Sequence, residues 1–281
     1  MKKELKNAIA QEVTHMASRI TQSAVAARAE VSTATISQVV ARNWDRIADK
    51  MWRTIQINLR IDLGWQIGHT SQLTEINSLC QVAQERSLSI CISDTAGKSK
   101  TASYKHYDRH NSNVIHLECK ASWTKKTYLR NLLIATGIKP EGTSGEMLDA
   151  FNSKIKSMFK PLLIQDQADK LKDPQLDLFM EFYNDHEGHL GIVLSGVKAL
   201  EQRIDRGRQR KKIGYDEIFS RFGGKYISIT PIKLKDVAAV CIANGVEDTE
   251  IIETIYDTCG GDFRRVRREV QKYQMRTNPA A

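Results

Sequence analysis

The stretch that most constrains this chain spans residues 87–101, which read as a strand, a tight loop and a helix start. Leu88, Ile90, Cys91 and Ile92 form a short apolar run with β-branched members, as a strand covered on both faces requires. The run breaks at Asp94 into Thr95, Ala96 and Gly97, and two lysines follow, Lys98 and Lys100, each trailed by a hydroxyl, Ser99 and Thr101. A helix starting directly after such a loop turns backbone N–H groups and the positive end of its dipole toward an anion. A lysine there reaches the outer phosphates of a nucleotide, and a hydroxyl coordinates its magnesium.

Two registers fit the phosphate-loop template of a glycine, four residues, then Gly-Lys-Ser/Thr. In one, Gly97, Lys98 and Ser99 fill the last three positions, but the first glycine falls on Ile92, inside the strand. In the other, Ser99, Lys100 and Thr101 fill them and the loop opens at Asp94, where the apolar run ends. The second register respects the strand. It makes Asp94, Thr95, Ala96, Gly97, Lys98, Ser99, Lys100 and Thr101 the candidate nucleotide contacts, with Lys100 over the phosphates and Thr101 on the metal. It also loses both flanking glycines. Ser99 brings a Cβ where positive φ is wanted, and Asp94 brings a carboxylate near phosphate, which is expected to weaken nucleotide affinity.

A second apolar run, Leu162, Leu163 and Ile164, ends in Gln165, Asp166, Gln167 and Asp169. A nucleotide-hydrolysing site of this kind needs a neighbouring strand whose terminal aspartate holds the magnesium shell, and Asp166 stands in that place. Both motifs together, in this order, imply ATP and Mg2+ as cofactors, with Thr101 and Asp166 toward the metal. The residue after Asp166 is ordinarily an acid that takes the proton of the attacking water. Here it is Gln167, and an amide orients water but accepts no proton. Asp169 and Glu118 are other carboxylates that can serve, and the sequence leaves that open. The expectation is a weak ATPase.

Of the 281 residues, 41% are hydrophobic and 27% charged, enough for a substantial core or several compact units. The net charge of +9 favours a polyanionic partner, nucleic acid before membrane. Five scattered cysteines without Cys-x-x-Cys spacing read as reduced core residues. No apolar segment is long enough to span a bilayer, and the first residues lack the apolar stretch of a signal peptide, so the expected location is the cytoplasm.

Residues 5–60 have helical periodicity, and residues 22–39 have the spacing of a helix-turn-helix, with Ala26 at the crossing and Val31, Ile36 and Val39 as apolar contacts. Ser32 can cap the second helix, leaving Thr33, Thr35 and Gln38 to face phosphates and base edges. Glu30 stands where such turns usually carry glycine. The same pattern also fits a helical hairpin used for protein contacts. Farther on, Lys120, Lys125 and Lys126 alternate with Trp123 and Tyr128, a pattern suited to gripping a nucleic-acid backbone or, for the aromatics, to a buried helix face. Strands are expected at 113–119, 189–196 and 226–231 as well, alternating with helices. The fold expected is a three-layer α/β core with a five-stranded, mostly parallel sheet, an N-terminal helix-turn-helix domain (1–63), a core (64–233) and a C-terminal helical lid (234–281).

These motifs resemble the AAA+ ATPases of the transposition-accessory group. Residues 162–171 resemble that group's Walker B strand, and 193–200 its sensor-1 strand, with Ser195 at the sensor position. Arg221, between Ser220 and Phe222, resembles its arginine finger, with Arg206 and Arg208 as rivals. Gly260, Gly261, Asp262, Phe263 and Arg264 resemble the sensor-2 helix of its lid. The resemblance spans nearly the whole chain. It implies catalytic roles for Asp166, Gln167, Ser195, Arg221 and Arg264 and a central phosphate-loop strand. It also implies ATP-dependent self-assembly on double-stranded DNA and delivery of that DNA to a transposase. A nucleotide-responsive helix-turn-helix regulator and a helicase loader are the competing readings.

Overall fold

The computed structural model describes residues 1–277. The first helices are α1 (Lys3–Arg19), α2 (Gln22–Ala29), α3 (Thr33–Val40) and α4 (Asp49–Asn58). Their inward positions, including Ile9, Val13, Ala26, Ile36, Val39, Trp52 and Ile55, form one apolar cluster. Glu30 sits in the left-handed region at φ 54°, so the turn takes the shape a glycine would supply, at a cost of about 1 kcal/mol. Ser32 caps α3 by accepting from the Thr35 backbone N–H at 3.1 Å.

The middle of the chain alternates helices and strands: α5 (Ser71–Glu85), β1 (Ser89–Ser93), α6 (Lys100–His110), β2 (Val114–Glu118), α7 (Lys125–Thr136), α8 (Ser144–Ser157) and β3 (Leu162–Asp166). It continues with α9 (Asp173–Asp185), β4 (Gly191–Gly196), α10 (Lys198–Gln209), α11 (Tyr215–Arg221) and β5 (Tyr226–Ile227). The five strands lie in the order β2-β3-β4-β1-β5, and every pairing is parallel. The strand before the phosphate loop, β1, is internal, but β4 holds the middle place. Alternate residues feed opposite layers: Cys91 and Leu163 pack with α7 to α11, whereas Ile92, Leu162 and Ile164 pack with α5 and α6.

The fifth strand is shorter than the sequence pattern suggests. Beyond Ile227 the backbone leaves the ladder, and the Ile229 N–H goes to Asp94 Oδ2 at 2.7 Å instead. A final unit of α12 (Leu234–Ala243), α13 (Thr249–Cys259) and α14 (Phe263–Thr277) closes over Val237, Cys241, Ile255, Val266 and Val270.

Arg28 of α2 ties the N-terminal unit to the core. Its guanidinium donates to the carbonyls of Ala135 (2.9 Å) and Val114 (3.1 Å) and pairs with Asp108 at 3.2 Å. All five cysteines are free and buried. No helix among the described residues is long and apolar enough to cross a membrane.

Candidate functional site

The apolar run of β1 ends at Ser93, and α6 begins at Lys100, so residues 94–99 form the loop between them. Two residues turn it with positive φ: Gly97 at 87° and Ser99 at 53°. Gly97 also needs its missing side chain, since a Cβ there would lie 2.3 Å from Asp262 at the entry to α14. Its carbonyl accepts from the Phe263 N–H at 3.0 Å, which seats the C-terminal unit on the loop.

Lys100 is buried, and its ammonium bridges the carbonyls of Asp94 (2.9 Å) and Thr95 (2.8 Å) across the loop. Burial pulls its pKa below the ordinary lysine value, with Asp94 and Asp166 opposing that shift. Lys98 does something different. Its ammonium donates to Asp94 Oδ2 at 2.8 Å and to the Ile229 carbonyl at 2.6 Å.

Asp94 corrects one expectation. Its carboxylate accepts from the Thr95 N–H (2.6 Å), Lys98 and the Ile229 N–H, ties the loop to the chain after β5, and does not line the cavity. Burial pushes its pKa up, but those donors outweigh burial and hold it below the usual carboxylate value. A carboxylate so neutralised does not repel phosphate. Thr95 likewise stays outside the cavity wall, whereas Ala96, Gly97, Lys98, Ser99, Lys100 and Thr101 form it.

At the end of β3, Asp166 is 2% exposed, and its Oδ2 accepts the Thr101 hydroxyl at 2.6 Å. Burial pushes its pKa up, but the His116 ring, the Thr101 hydroxyl and the Gln167 N–H hold it below the ordinary value. His116 Nε2 stands 3.6 Å from Asp166 Oδ2, beyond hydrogen-bond distance. An ionised aspartate beside a hydroxyl fits magnesium. Among the described residues no three His, Cys, Asp or Glu gather to hold a metal alone. An ion here would therefore complete its shell with phosphate and water, as magnesium does.

The cavity above these groups measures about 550 Å³. Its polar lining includes Lys98, Lys100, Asp166, Gln167, Asp169, Lys170 and Arg264. Its apolar lining includes Trp65, Ile67, Leu73 and Val240, which the sequence places in a connector and two helices. Gly68 lets the connector lie against α12, since a Cβ would come within 2.7 Å of the Ala239 and Val240 backbone. The guanidinium of Arg267 lies 4.8 Å over the Trp65 ring and pairs with Asp62 at 2.8 Å. A tryptophan in a short polar connector is the one sequence signal for this lining.

The remaining candidates divide. Gln167 has left-handed backbone (φ 58°), and its Nε2 donates to Glu118 Oε1 at 3.0 Å while its Oε1 accepts from Lys170. Asp169 Oδ1 accepts from the Val197 N–H at 3.1 Å, at the start of α10. Ser195 is fully buried and bonds the Tyr104 hydroxyl at 2.8 Å; it is not part of the cavity wall. Arg264 lines the cavity and is exposed. Arg221 does not reach it; its guanidinium lies 4.7 Å over the Tyr183 ring and 3.5 Å from Glu217. Arg208 packs 3.6 Å over Phe219 and pairs with Asp216, and Arg206 is exposed.

Among the DNA candidates, Lys120, Lys125 and Lys126 are exposed, while Trp123 and Tyr128 are buried core residues. Thr33 is exposed on α3, Gln38 is half-buried, and Thr35 Oγ1 lies 2.9 Å from Ser32 Oγ.

Residues 83–204 match the family model described as AAA domain. No curated protein matches the sequence. Among solved structures, the fold is similar to that of the Aeropyrum pernix Orc1 protein in complex with DNA, at 14% identity and a TM-score of 0.50. That alignment covers 72% of this chain and 58% of the Orc1 chain, so this chain spans less than two thirds of that protein. Residues 83–204, which carry four of the five strands of the parallel sheet, form an AAA-type P-loop ATPase domain.

Proposed function

We propose that this protein binds DNA under the control of ATP, self-assembles on double-stranded target DNA and presents it to a transposase, as the phage Mu target-DNA-binding protein B does. The observation that carries the nucleotide half is the single cavity walled by the loop, Asp166 and Arg264 of the C-terminal unit. Nucleotide held there touches both the core and that unit, so its state can change how subunits meet. The DNA half is supported by the net charge of +9 and by Lys120, Lys125 and Lys126, which are exposed and make no ion pair among the described residues. The similarly folded Orc1 protein was itself solved with DNA.

Three parts of this reading extend farther: the helix-turn-helix role of Thr33, Thr35 and Gln38, the sensor role of Ser195, and the action of Arg221. Arg221 lies away from its own cavity, which suits a guanidinium that reaches a neighbouring subunit's γ-phosphate.

The test is sedimentation and electron microscopy with random-sequence duplex DNA, with and without ATP, followed by a strand-transfer assay with a candidate transposase. ATP-dependent coating of DNA and stimulated strand transfer support the reading. A dimer protecting one sequence points to a transcriptional regulator, and capture of a helicase instead of a transposase points to a loader.

A further inference from the structure

Glu118 closes β2 directly beside Asp166 in the parallel ladder. Both side chains rise on the α6 side of the sheet: Asp166 meets Thr101 of that helix, and Glu118 Oε2 lies 3.5 Å from Lys105 Nζ. Glu118 is one hydrogen bond from the cavity wall, since its Oε1 accepts the Gln167 amide at 3.0 Å. Its Oε2 accepts from the Arg60 guanidinium. Arg60 follows α4 of the N-terminal unit, in left-handed backbone at φ 54°, and its carbonyl accepts from Arg109 at 3.0 Å. A chain of contacts thus runs from the N-terminal unit through Arg60 and Glu118 to Gln167 at the cavity.

In this arrangement nothing at the cavity can take a proton freely. The amide of Gln167 has no such capacity, and both its ends are engaged, by Glu118 and Lys170. Asp169 uses one oxygen on the start of α10 and packs against Gly196. Glu118 is a carboxylate in the right neighbourhood with both oxygens held.

Resting on the nucleotide-hydrolysing reading above, we infer that Glu118 is the proton acceptor for hydrolysis and that Arg60 is a latch by which the N-terminal unit keeps it engaged. When Arg60 withdraws, Glu118 takes a proton from a water oriented by Gln167. The water oxygen bonds to the γ-phosphorus as the bond from that phosphorus to the bridging oxygen breaks. The bridging electron pair leaves with ADP, and the proton passes on to the released phosphate. The Arg60–Glu118 pair is partly exposed, with side chains 43% and 24% accessible, so it is weak enough to be exchanged. The groove beside it also carries Lys105, Arg109 and Lys120, where an entering anion competes for Arg60.

The experiment measures phosphate release beside the affinity for a fluorescent, non-hydrolysable ATP analogue, in the full chain. The forms are wild type, Arg60→Ala, Arg60→Lys, Glu118→Gln, the Arg60→Ala/Glu118→Gln double variant and Asp169→Asn. Arg60→Ala should raise turnover by about tenfold or more, part of the hundredfold to ten-thousandfold that a positioned base typically supplies. Arg60→Lys should keep the low rate, which also controls for folding. Glu118→Gln should abolish turnover alone and in the double variant, with analogue affinity unchanged throughout. An Arg60→Ala rate equal to wild type overturns the latch. A double variant as fast as Arg60→Ala, or a rate lost in Asp169→Asn but kept in Glu118→Gln, overturns the assignment of Glu118. Failure of the wild type to bind the analogue overturns the nucleotide reading itself, and this inference with it.

Discussion

The hydroxyl of Thr101 donates to Asp166 Oδ2 across 2.6 Å, joining the first turn of α6 to the end of β3. The two residues are 65 positions apart, and their contact brings the two halves of the proposed nucleotide site together. It also makes a pH prediction. Burial pushes Asp166 up, but its donors hold the folded pKa below the unfolded value. A depressed carboxylate adds stability that is present above its unfolded pKa and lost as pH falls through its folded pKa. The melting-temperature advantage of wild type over Asp166→Asn should therefore shrink as pH drops below about 4, the ordinary aspartate value. An advantage that stays constant down to that range and beyond would count against an ionised, hydrogen-bonded Asp166.

The two loop lysines should separate by what they hold. Lys100 contacts only backbone carbonyls at the loop mouth, so Lys100→Ala should abolish ATP binding with little change in melting temperature. Lys98 neutralises buried Asp94, and breaking such a pair by removing one partner costs about 3 kcal/mol. Lys98→Ala should therefore lower the melting temperature while weakening ATP binding less than Lys100→Ala does. Labelled-ATP binding and thermal melts on both variants decide it, and a reversed ranking in binding would move the site to the other register.

Trp65 lines the cavity, with the Arg267 guanidinium 4.8 Å over its ring. Aromatic contacts beyond simple burial are worth about 0.5–1.5 kcal/mol, so Trp65→Ala should weaken nucleotide binding by up to about tenfold. Trp65→Phe should recover most of it. If titration with nucleotide finds equal affinity in all three forms, the base does not sit against this ring.

Reading the sequence located what local pattern encodes. The ends of β1 and β3 and the start of α6 at Lys100 follow from apolar runs that stop at polar residues, whereas the pairing of Thr101 with Asp166 is seen only in the folded chain. Asp94 was misjudged because its partners, Lys98 and Ile229, meet only when the chain after β5 returns beside the loop. The apolar lining of the cavity is hidden in the sequence for a similar reason. Trp65 and Val240 come from segments that look like a connector and a lid helix until Gly68 lets them touch. Ser195 shows the opposite limit: its place in the chain suggests a sensor, but in the folded chain its hydroxyl bonds buried Tyr104.

DNA binding should depend on salt in proportion to the lysines that touch phosphate. Each phosphate neutralised contributes about 0.9 to the slope of log affinity against log salt on duplex DNA. Replacing Lys120, Lys125 and Lys126 with alanine should flatten that slope and lower affinity on every sequence alike. These exposed side chains carry no visible structural load, so melting temperature should hold. An unchanged slope would place the DNA surface elsewhere, with Thr33, Thr35 and Gln38 next to be tested.

Gln167 and Glu118 form an amide–carboxylate pair at 3.0 Å, with the amide on the cavity wall and the carboxylate one contact behind it. That geometry changes what a Gln167→Glu substitution should do. Judged by the sequence alone, a carboxylate at 167 restores a missing base and speeds hydrolysis. In the folded chain it meets Glu118, and two carboxylates at hydrogen-bond distance cannot both stay ionised. The single variant should therefore gain little turnover. Exchanging both residues, as Gln167→Glu with Glu118→Gln, keeps the hydrogen bond and reverses its polarity. The carboxylate then lies on the cavity wall, and Arg60 faces an amide it cannot hold by charge. The exchanged form should hydrolyse ATP faster than wild type, and adding Arg60→Ala should change its rate little. Steady-state phosphate release across the single, exchanged and triple variants checks this. A single Gln167→Glu variant as fast as the exchanged one would mean that Glu118 is a bystander and that position 167 alone limits the rate.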